Sequence, residues 1–192
     1  GGLNWNHITQ GGAEFVTSVS AGISPFVGPA SIAAGPDGNM WLTEYTGPGL
    51  GKSTPAGVVT EFPPGLGTPA LSIVAGPDGN LWYTLPAGAI GRITPAGVIT
   101  EFTAGITLGA FPQNIAAGPD GNLWFTEGGG IGKGIGRITP AGAITEFNAG
   151  ITLHSLPSGI AAGPDSDRWV TASARPQVGP RPTAGVITHF TT

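Results

Sequence analysis

The chain has no cysteine, a single methionine and very little charge: 9% of its 192 residues are Asp, Glu, Lys or Arg, against about 25% in an ordinary soluble domain. Without cysteine there are no disulfides and no thiolate chemistry, and the redox compartment stays open. With 7 Lys and Arg against 11 Asp and Glu, and a formal net charge of −4, the chain lacks the basic stripe that nucleic acid demands and has nothing to draw it to an anionic membrane. So few charges also leave a surface poorly defended against association. The longest charge-free stretch lies between Glu14 and Asp37, but Pro25, Pro29 and Pro36 with Gly22, Gly28 and Gly35 break it, so no membrane span is expected. The first residue is Gly1 rather than Met, with no charged-then-apolar start, which reads as a processed mature form or a trimmed piece.

What the chain has in excess is glycine and proline, 35 and 19 residues. Scattered without period they would signal low complexity; here they recur in register. GPDGNMW begins at Gly35, GPDGNLW at Gly76 and again at Gly118, and an altered GPDSDRW at Gly163, giving steps of 41, 42 and 45 residues. A second string follows each copy: STPAGVVTEF from Ser53, ITPAGVITEF from Ile93, ITPAGAITEF from Ile138 and PTAGVITHF from Pro182. Its outline also opens the chain as ITQGGAEF, from Ile8 to Phe15. The 192 residues therefore divide into a leading partial unit, 1–16, and four full units, 17–62, 63–102, 103–147 and 148–192, within a single domain.

Each unit predicts four short strands. In the third, Asn114 to Ala117 leads to Gly118-Pro119-Asp120-Gly121-Asn122, whose Asp-Gly pair suits a tight hairpin turn. Leu123 to Thr126 forms the second strand and Ile135 to Ile138 the third; Pro140-Ala141-Gly142 turns, and Ala143 to Phe147 forms the fourth. No segment carries a sustained 3.6-residue apolar period with caps, so no helix is expected. Four-stranded antiparallel units of about 40–50 residues are the blades of a β-propeller, each burying its faces only against its neighbours. The expected fold is all-β, four full blades behind a leading half-blade.

GPDGNLWFTE followed by IGRITPAGVITEF resembles the repeats of the virginiamycin B lyase (streptogramin lyase) family over nearly the whole chain. The resemblance implies a propeller fold. It further implies, for the family's enzyme, seven blades, a magnesium ion and an elimination that linearises a cyclic antibiotic, with essential histidines in Pro-His-x-Ile phrases at blade starts. The matching phrases here are Pro29-Ala30-Ser31-Ile32, Pro69-Ala70-Leu71-Ser72-Ile73, Pro112-Gln113-Asn114-Ile115 and Pro157-Ser158-Gly159-Ile160, and none carries histidine. The glutamate that precedes one such phrase in the family is missing too, since Val27-Gly28, Gly67-Thr68, Ala110-Phe111 and Ser155-Leu156 stand before these prolines. Elimination needs a poised base and a group that stabilises the developing anion. The fold is carried over and the lyase activity is not.

Other catalytic sets are thin. His154 stands near the blade-start register but outside it, and with Glu127 forms the one weak catalytic candidate. His7 takes the place held later by Lys52, Arg92 and Arg137, and His189 that of Glu61, Glu101 and Glu146. Three histidines in three registers make no metal set, so neither metal nor cofactor is expected. Arg92 and Glu101 flank a turn and are read as diagonal cross-strand neighbours. Asp37, Asp78, Asp120 and Asp165 are read as turn residues rather than calcium ligands. Glu44 and Glu127 face a loop or the central channel and form an incomplete ring, since Leu85 and Ala172 replace them elsewhere. Trp41, Trp82, Trp124 and Trp169 are read as packing between blades.

The ends of the chain stand out. The leading segment supplies a third and fourth strand without a first and second, whereas Pro180 and Pro182 remove ladder donors from the third strand of the last unit. Leu3 to Thr9 could fill that gap in its own chain or in the next, joining subunits by strand addition. The assembly interface expected from this is Leu3, Trp5, Ile8 and Phe15 against Val178, Pro180 and Pro182. The leading functional expectation is a non-enzymatic structural or binding propeller, secreted or at the cell surface, forming a homo-oligomer or filament. Two alternatives stand beside it: a lyase with a rearranged site using His154 and Glu127, and a receptor for carbohydrate or peptide using loops at one mouth.

Overall fold

The computed structural model describes residues 5–8, 16–19, 28–46, 49–62, 69–129, 134–148, 155–163, 167–174 and 186–190. Among the described residues every regular element is a strand. β1 (Trp5–Ile8) and β2 (Val16–Val19) form a hairpin. β3 (Pro29–Ala34), β4 (Met40–Glu44), β5 (Leu50–Ser53) and β6 (Val59–Phe62) make the first four-stranded antiparallel blade. β7 (Ile73–Ala75), β8 (Leu81–Leu85), β9 (Ala89–Ile93) and β10 (Ile99–Phe102) make the second. The third is β11 (Pro112–Ala117), β12 (Leu123–Glu127), β13 (Gly134–Ile138) and β14 (Ile144–Phe147). β15 (Ser155–Ala162), β16 (Arg168–Ala174) and β17 (Val186–Phe190) form a last, three-stranded sheet. In every blade the strands lie side by side in chain order, the meander that short turns impose.

The Gly-Pro-Asp-Gly-Asn string makes the first turn of each blade and locks it to the second strand. In the second blade the Asp78 carboxylate accepts from the Trp82 indole N–H at 2.9 Å and the Asn80 side-chain amide at 2.8 Å, while Gly79 takes φ +75°. Asp37 with Asn39 and Trp41, and Asp120 with Asn122 and Trp124, repeat the clamp. The turn role is what the structure gives for these three aspartates; Asp165 lies outside the described residues. Burial pushes each carboxyl upward, but the hydrogen bonds from Asn and Trp outweigh it and hold all three below the ordinary aspartate value.

Each blade has a forward face, which meets the next blade, and a back face, which meets the one before. Trp41 and Leu50 on the forward face of the first blade pack with Ile73, Leu81, Tyr83 and Ile93 on the back of the second. Trp82 and Ile90 meet Ile115, Leu123, Phe125 and Ile138 in the same way, and Trp124 meets Ile160 and Val170. The packing role of the tryptophans is thus realised at three positions. A second device fastens neighbours at the outer strands. Lys52 donates to the Pro95 carbonyl at 3.2 Å and Arg92 to that of Pro140 at 3.2 Å, so each cation of one blade grips the Thr-Pro-Ala-Gly turn of the next. The same cations lie over a Trp–Phe stack: the Arg92 guanidinium is 5.5 Å from the Trp82 ring and 5.4 Å from that of Phe102, the two rings being 5.4 Å apart.

That arrangement corrects the expected Arg92–Glu101 pair. Arg92 is opposite Thr100 and Glu101 is opposite Gly91; neighbours along a strand point to opposite faces, so the two side chains are on different sides of the sheet. Two registers at the ends also differ from expectation. The leading hairpin pairs Ile8 with Val16 and Asn6 with Ser18, so its second strand is Val16–Val19 rather than the segment through Glu14 and Phe15. The β-branched, alternating Val-Thr-Ser-Val is the better strand former. At the other end Val186–Phe190, expected as a fourth strand, pairs directly with β16, setting His189 opposite Trp169. It holds the third place, which a segment with Pro180 and Pro182 is ill equipped to fill.

Candidate functional site

The family-type site falls at the mouth where the first strand of each blade starts and the second ends. A bulge breaks the ladder there, between Pro112 and Ile115 and between Pro157 and Ile160. The threonine of each Trp-x-Thr run repairs it. The Thr84 hydroxyl accepts from Ser72 N at 3.1 Å, Thr126 from Asn114 N at 3.2 Å and Thr171 from Gly159 N at 2.9 Å. Three hydroxyls of this run also give a proton to the following blade: Thr43 to the Leu71 carbonyl at 3.0 Å, Thr84 to Gln113 at 2.8 Å and Thr126 to Ser158 at 2.8 Å. This ladder was missed in the sequence, although the recurrence of Thr two residues after Trp was its visible signal.

The carboxylates gather beside it. Glu127 ends β12, opposite Pro112 on one side and Gly134 on the other, and is fully buried. No N–H or O–H among the described residues reaches either of its oxygens. Its neighbour is Glu146, on the same face of β14. Two carboxyl groups can hydrogen-bond only when one holds a proton. Burial first, then the hydrogen bond and charge of Glu146, push Glu127 up to about 9, so Glu127 is the protonated member. Glu146 accepts from Thr107 N and Thr107 Oγ1, both at 2.5 Å. Missing side chains make room: a Cβ on Gly134 would lie 3.1 Å from Glu127 Oε2 and collide with Asn148 Oδ1. In the first blade Glu44 is likewise buried and raised, by burial above all and partly by Glu61, while accepting from Gly49 N at 3.3 Å.

Glu127 is therefore a neutral acid at pH 7, not a base. Gln113 stands where the resemblance would put a histidine, its amide lying against Gly128. Of the catalytic candidates, His154 lies outside the described residues. So do Leu3, Phe15, Val178, Pro180 and Pro182 of the expected interface; Trp5 and Ile8 are described only as backbone of β1. The described residues do not fit the magnesium ion implied by the resemblance. Both oxygens of Glu146 are engaged by Thr107, and no three His, Asp or Glu side chains gather among the described residues.

A second arrangement was invisible in the sequence. Arg168, in the altered fourth turn string, is 1% exposed and reaches back to the third blade, 2.8 Å from Asp120 Oδ1 and 4.8 Å over the Trp124 ring. Among the described residues, Ile32 on the back of the first blade is 50% and Met40 38% exposed, and Trp169 in the last sheet is 41% exposed. Their counterparts Ile73, Ile115, Leu81, Leu123, Trp41, Trp82 and Trp124 are all buried.

Solved structures with this architecture include a streptogramin B lyase, at TM-score 0.75 and 31% identity over 93% of this chain and 59% of the other. Virginiamycin B lyase from Staphylococcus aureus matches at TM-score 0.73 and 28% identity, covering 98% of this chain and 69% of that one. A catalytically inactive form of the same enzyme with quinupristin matches at TM-score 0.68 and 30% identity, covering 86% and 56%. This chain thus spans 59% of the length of the first of these structures. No curated protein matches it. The profile of the virginiamycin B lyase family matches residues 8–192, and the chain belongs to that family.

Proposed function

We propose that this chain is a non-enzymatic structural propeller that works by associating with copies of itself. The observation that carries the reading is the exposed apolar pair on the back of the first blade, Ile32 at 50% and Met40 at 38% exposure. Monomeric soluble proteins cover their contiguous apolar surfaces. A chain in which only 9% of residues are charged offers little opposition to contact between copies.

Two features support leaving the family's chemistry aside. The blade-start positions are Ala30, Leu71, Gln113 and Ser158, none of which can take a proton at neutral pH. Glu127 holds its proton up to about pH 9, and a general base must be unprotonated at the working pH. Both halves are tested together. Light scattering on the purified chain over a hundredfold concentration range should give a mass rising above that of one chain, 19.1 kDa. Quinupristin, the ligand in the structure of an inactive relative, should remain cyclic on prolonged incubation when followed by reversed-phase chromatography. A constant monomer mass would overturn the assembly reading, and ring opening would overturn the non-enzymatic one.

A further inference from the structure

We infer that the joint between the third blade and the last sheet is the one that acid opens, and that the Arg168–Asp120 pair is its latch. At the two joints before it, the residue ahead of the tryptophan is a buried leucine of the following blade: Leu81 packs with Trp41 and Leu123 with Trp82. Arg168 holds that place in the last sheet, in GPDSDRW where the second and third blades read GPDGNLW. Like the leucines it is buried, at 1% exposure, and its guanidinium lies 4.8 Å over the Trp124 ring of the preceding blade. A cation thus stands where the other joints have an apolar plug. Val170 stands where Tyr83 and Phe125 stand in the second and third blades, so the apolar filling around Trp124 is smaller as well.

A buried guanidinium is tolerated there because a carboxylate faces it, with Asp120 Oδ1 2.8 Å from Nη2. Gly118 allows the approach, since a Cβ on it would lie 2.7 Å from Nη2. The same carboxylate accepts the Trp124 indole N–H at 3.1 Å and the Asn122 amide at 3.0 Å, so the turn, the tryptophan and the next sheet all hang on one ionised group. The other charged groups around it are Arg137 of β13, 5.8 Å from the Trp124 ring, and Asp167, next to Arg168 in the chain. Burial pushes Asp120 up, but the bonds from Asn122 and Trp124 and the charge of Arg168 bring it below the ordinary aspartate value of 3.8. The contribution of the pair is therefore complete above that ordinary value and is lost as pH falls through the lowered one. Protonation then leaves a cation in a place that leucine fills elsewhere, whereas neutralising Asp78 leaves the contact of Leu123 with Trp82 apolar and intact. Opening bares Trp124 and Ile135 on one side of the joint and Ile160 and Val170 on the other.

Hydrogen exchange followed by mass spectrometry on the full chain reads each sheet separately. Asp120→Asn keeps an acceptor for the Trp124 indole and removes the charge, so at pH 7 it should speed exchange in β15 and β16 by about tenfold or more while β7 to β10 stay as in wild type. Asp78→Asn makes the same change at a joint plugged by leucine and should produce no such local acceleration. Arg168→Met places at this position the residue type that Met40 supplies in the first blade; on that background Asp120→Asn should change exchange of β15 and β16 little. A titration of the wild type needs no variant: as pH is lowered toward about 3, β15 and β16 should lose protection before β7 to β10. An Asp120→Asn effect spread evenly over all the sheets, or one that persists beside Arg168→Met, overturns the latch. So does a wild type whose sheets lose protection together.

Discussion

Asp78 and its equivalents show how much of a blade hangs on one carboxylate. It takes the indole proton of Trp82 and the amide of Asn80, and so ties the hairpin turn to the core residue that fills the space between blades. Asp78→Ala should lower unfolding stability by about 1.5–3 kcal/mol, the range for hydrogen bonds to a charged group, as read by urea titration. Glu127 behaves in the opposite sense. Its folded value is raised to about 9 from 4.5, so its favourable contribution is complete below 4.5 and is lost as pH rises toward and through 9. Glu127→Gln, which keeps the shape and a hydrogen-bond donor for Glu146, should melt higher than wild type at pH 8.5 and nearly equal to it at pH 4.5. An equal difference at both values would show that Glu127 is ionised in the fold. The turn role of Asp78 was legible in Pro-Asp-Gly. The neutrality of Glu127 was not, because it depends on Glu146 lying across two glycines on a neighbouring strand.

At the level of elements, the Thr-Pro-Ala-Gly turn does more than reverse the chain. Gly97 takes φ +90°, and a Cβ there would lie 2.6 Å from Cε1 of Phe62 in the preceding blade. Gly38, in the other turn, takes φ +74° with nothing within 4 Å. Gly38→Ala should therefore show only the left-handed backbone penalty, about 1–2 kcal/mol. Gly97→Ala adds a collision with a packed ring and should be clearly worse by chemical denaturation; equal losses would mean that the turn does not press on its neighbour. Strand order, turn type and blade period could be read from the repeated strings. The partners of the charged strand residues could not. Arg92 and Glu101 look adjacent in sequence, but pleating sends them to opposite faces, and Arg92 finds its acceptor at Pro140 in another blade.

On the scale of the whole molecule, the blades are held to one another mainly by apolar faces, cation-to-carbonyl bonds and a line of threonine hydroxyls, with the Arg168–Asp120 ion pair joining the third blade to the last. The same should hold between copies. Raising salt from roughly 0.05 to 0.5 M, which shortens the Debye length from about 14 to about 4 Å, should leave the mass of the assembly unchanged or increase it, since screening weakens charge attraction but not apolar burial. Dissociation on adding salt would locate the contact in charged groups instead. Exposure of matching positions is a property of this scale alone. Ile32 carries the same residue type as Ile73 at the matching place of its blade, yet it is 50% exposed where Ile73 is buried.

The sequence by itself determined the repeat, the all-β class, the tight turns and the family, because each is written in a short string whose local chemistry recurs: Asp-Gly for the turn, alternation for the strand, Trp for the space between blades. Tertiary structure alone decided which charges meet, which carboxyl keeps its proton and which faces stay open. Those depend on strands brought side by side from residues tens of positions apart. No single repeat contains that information.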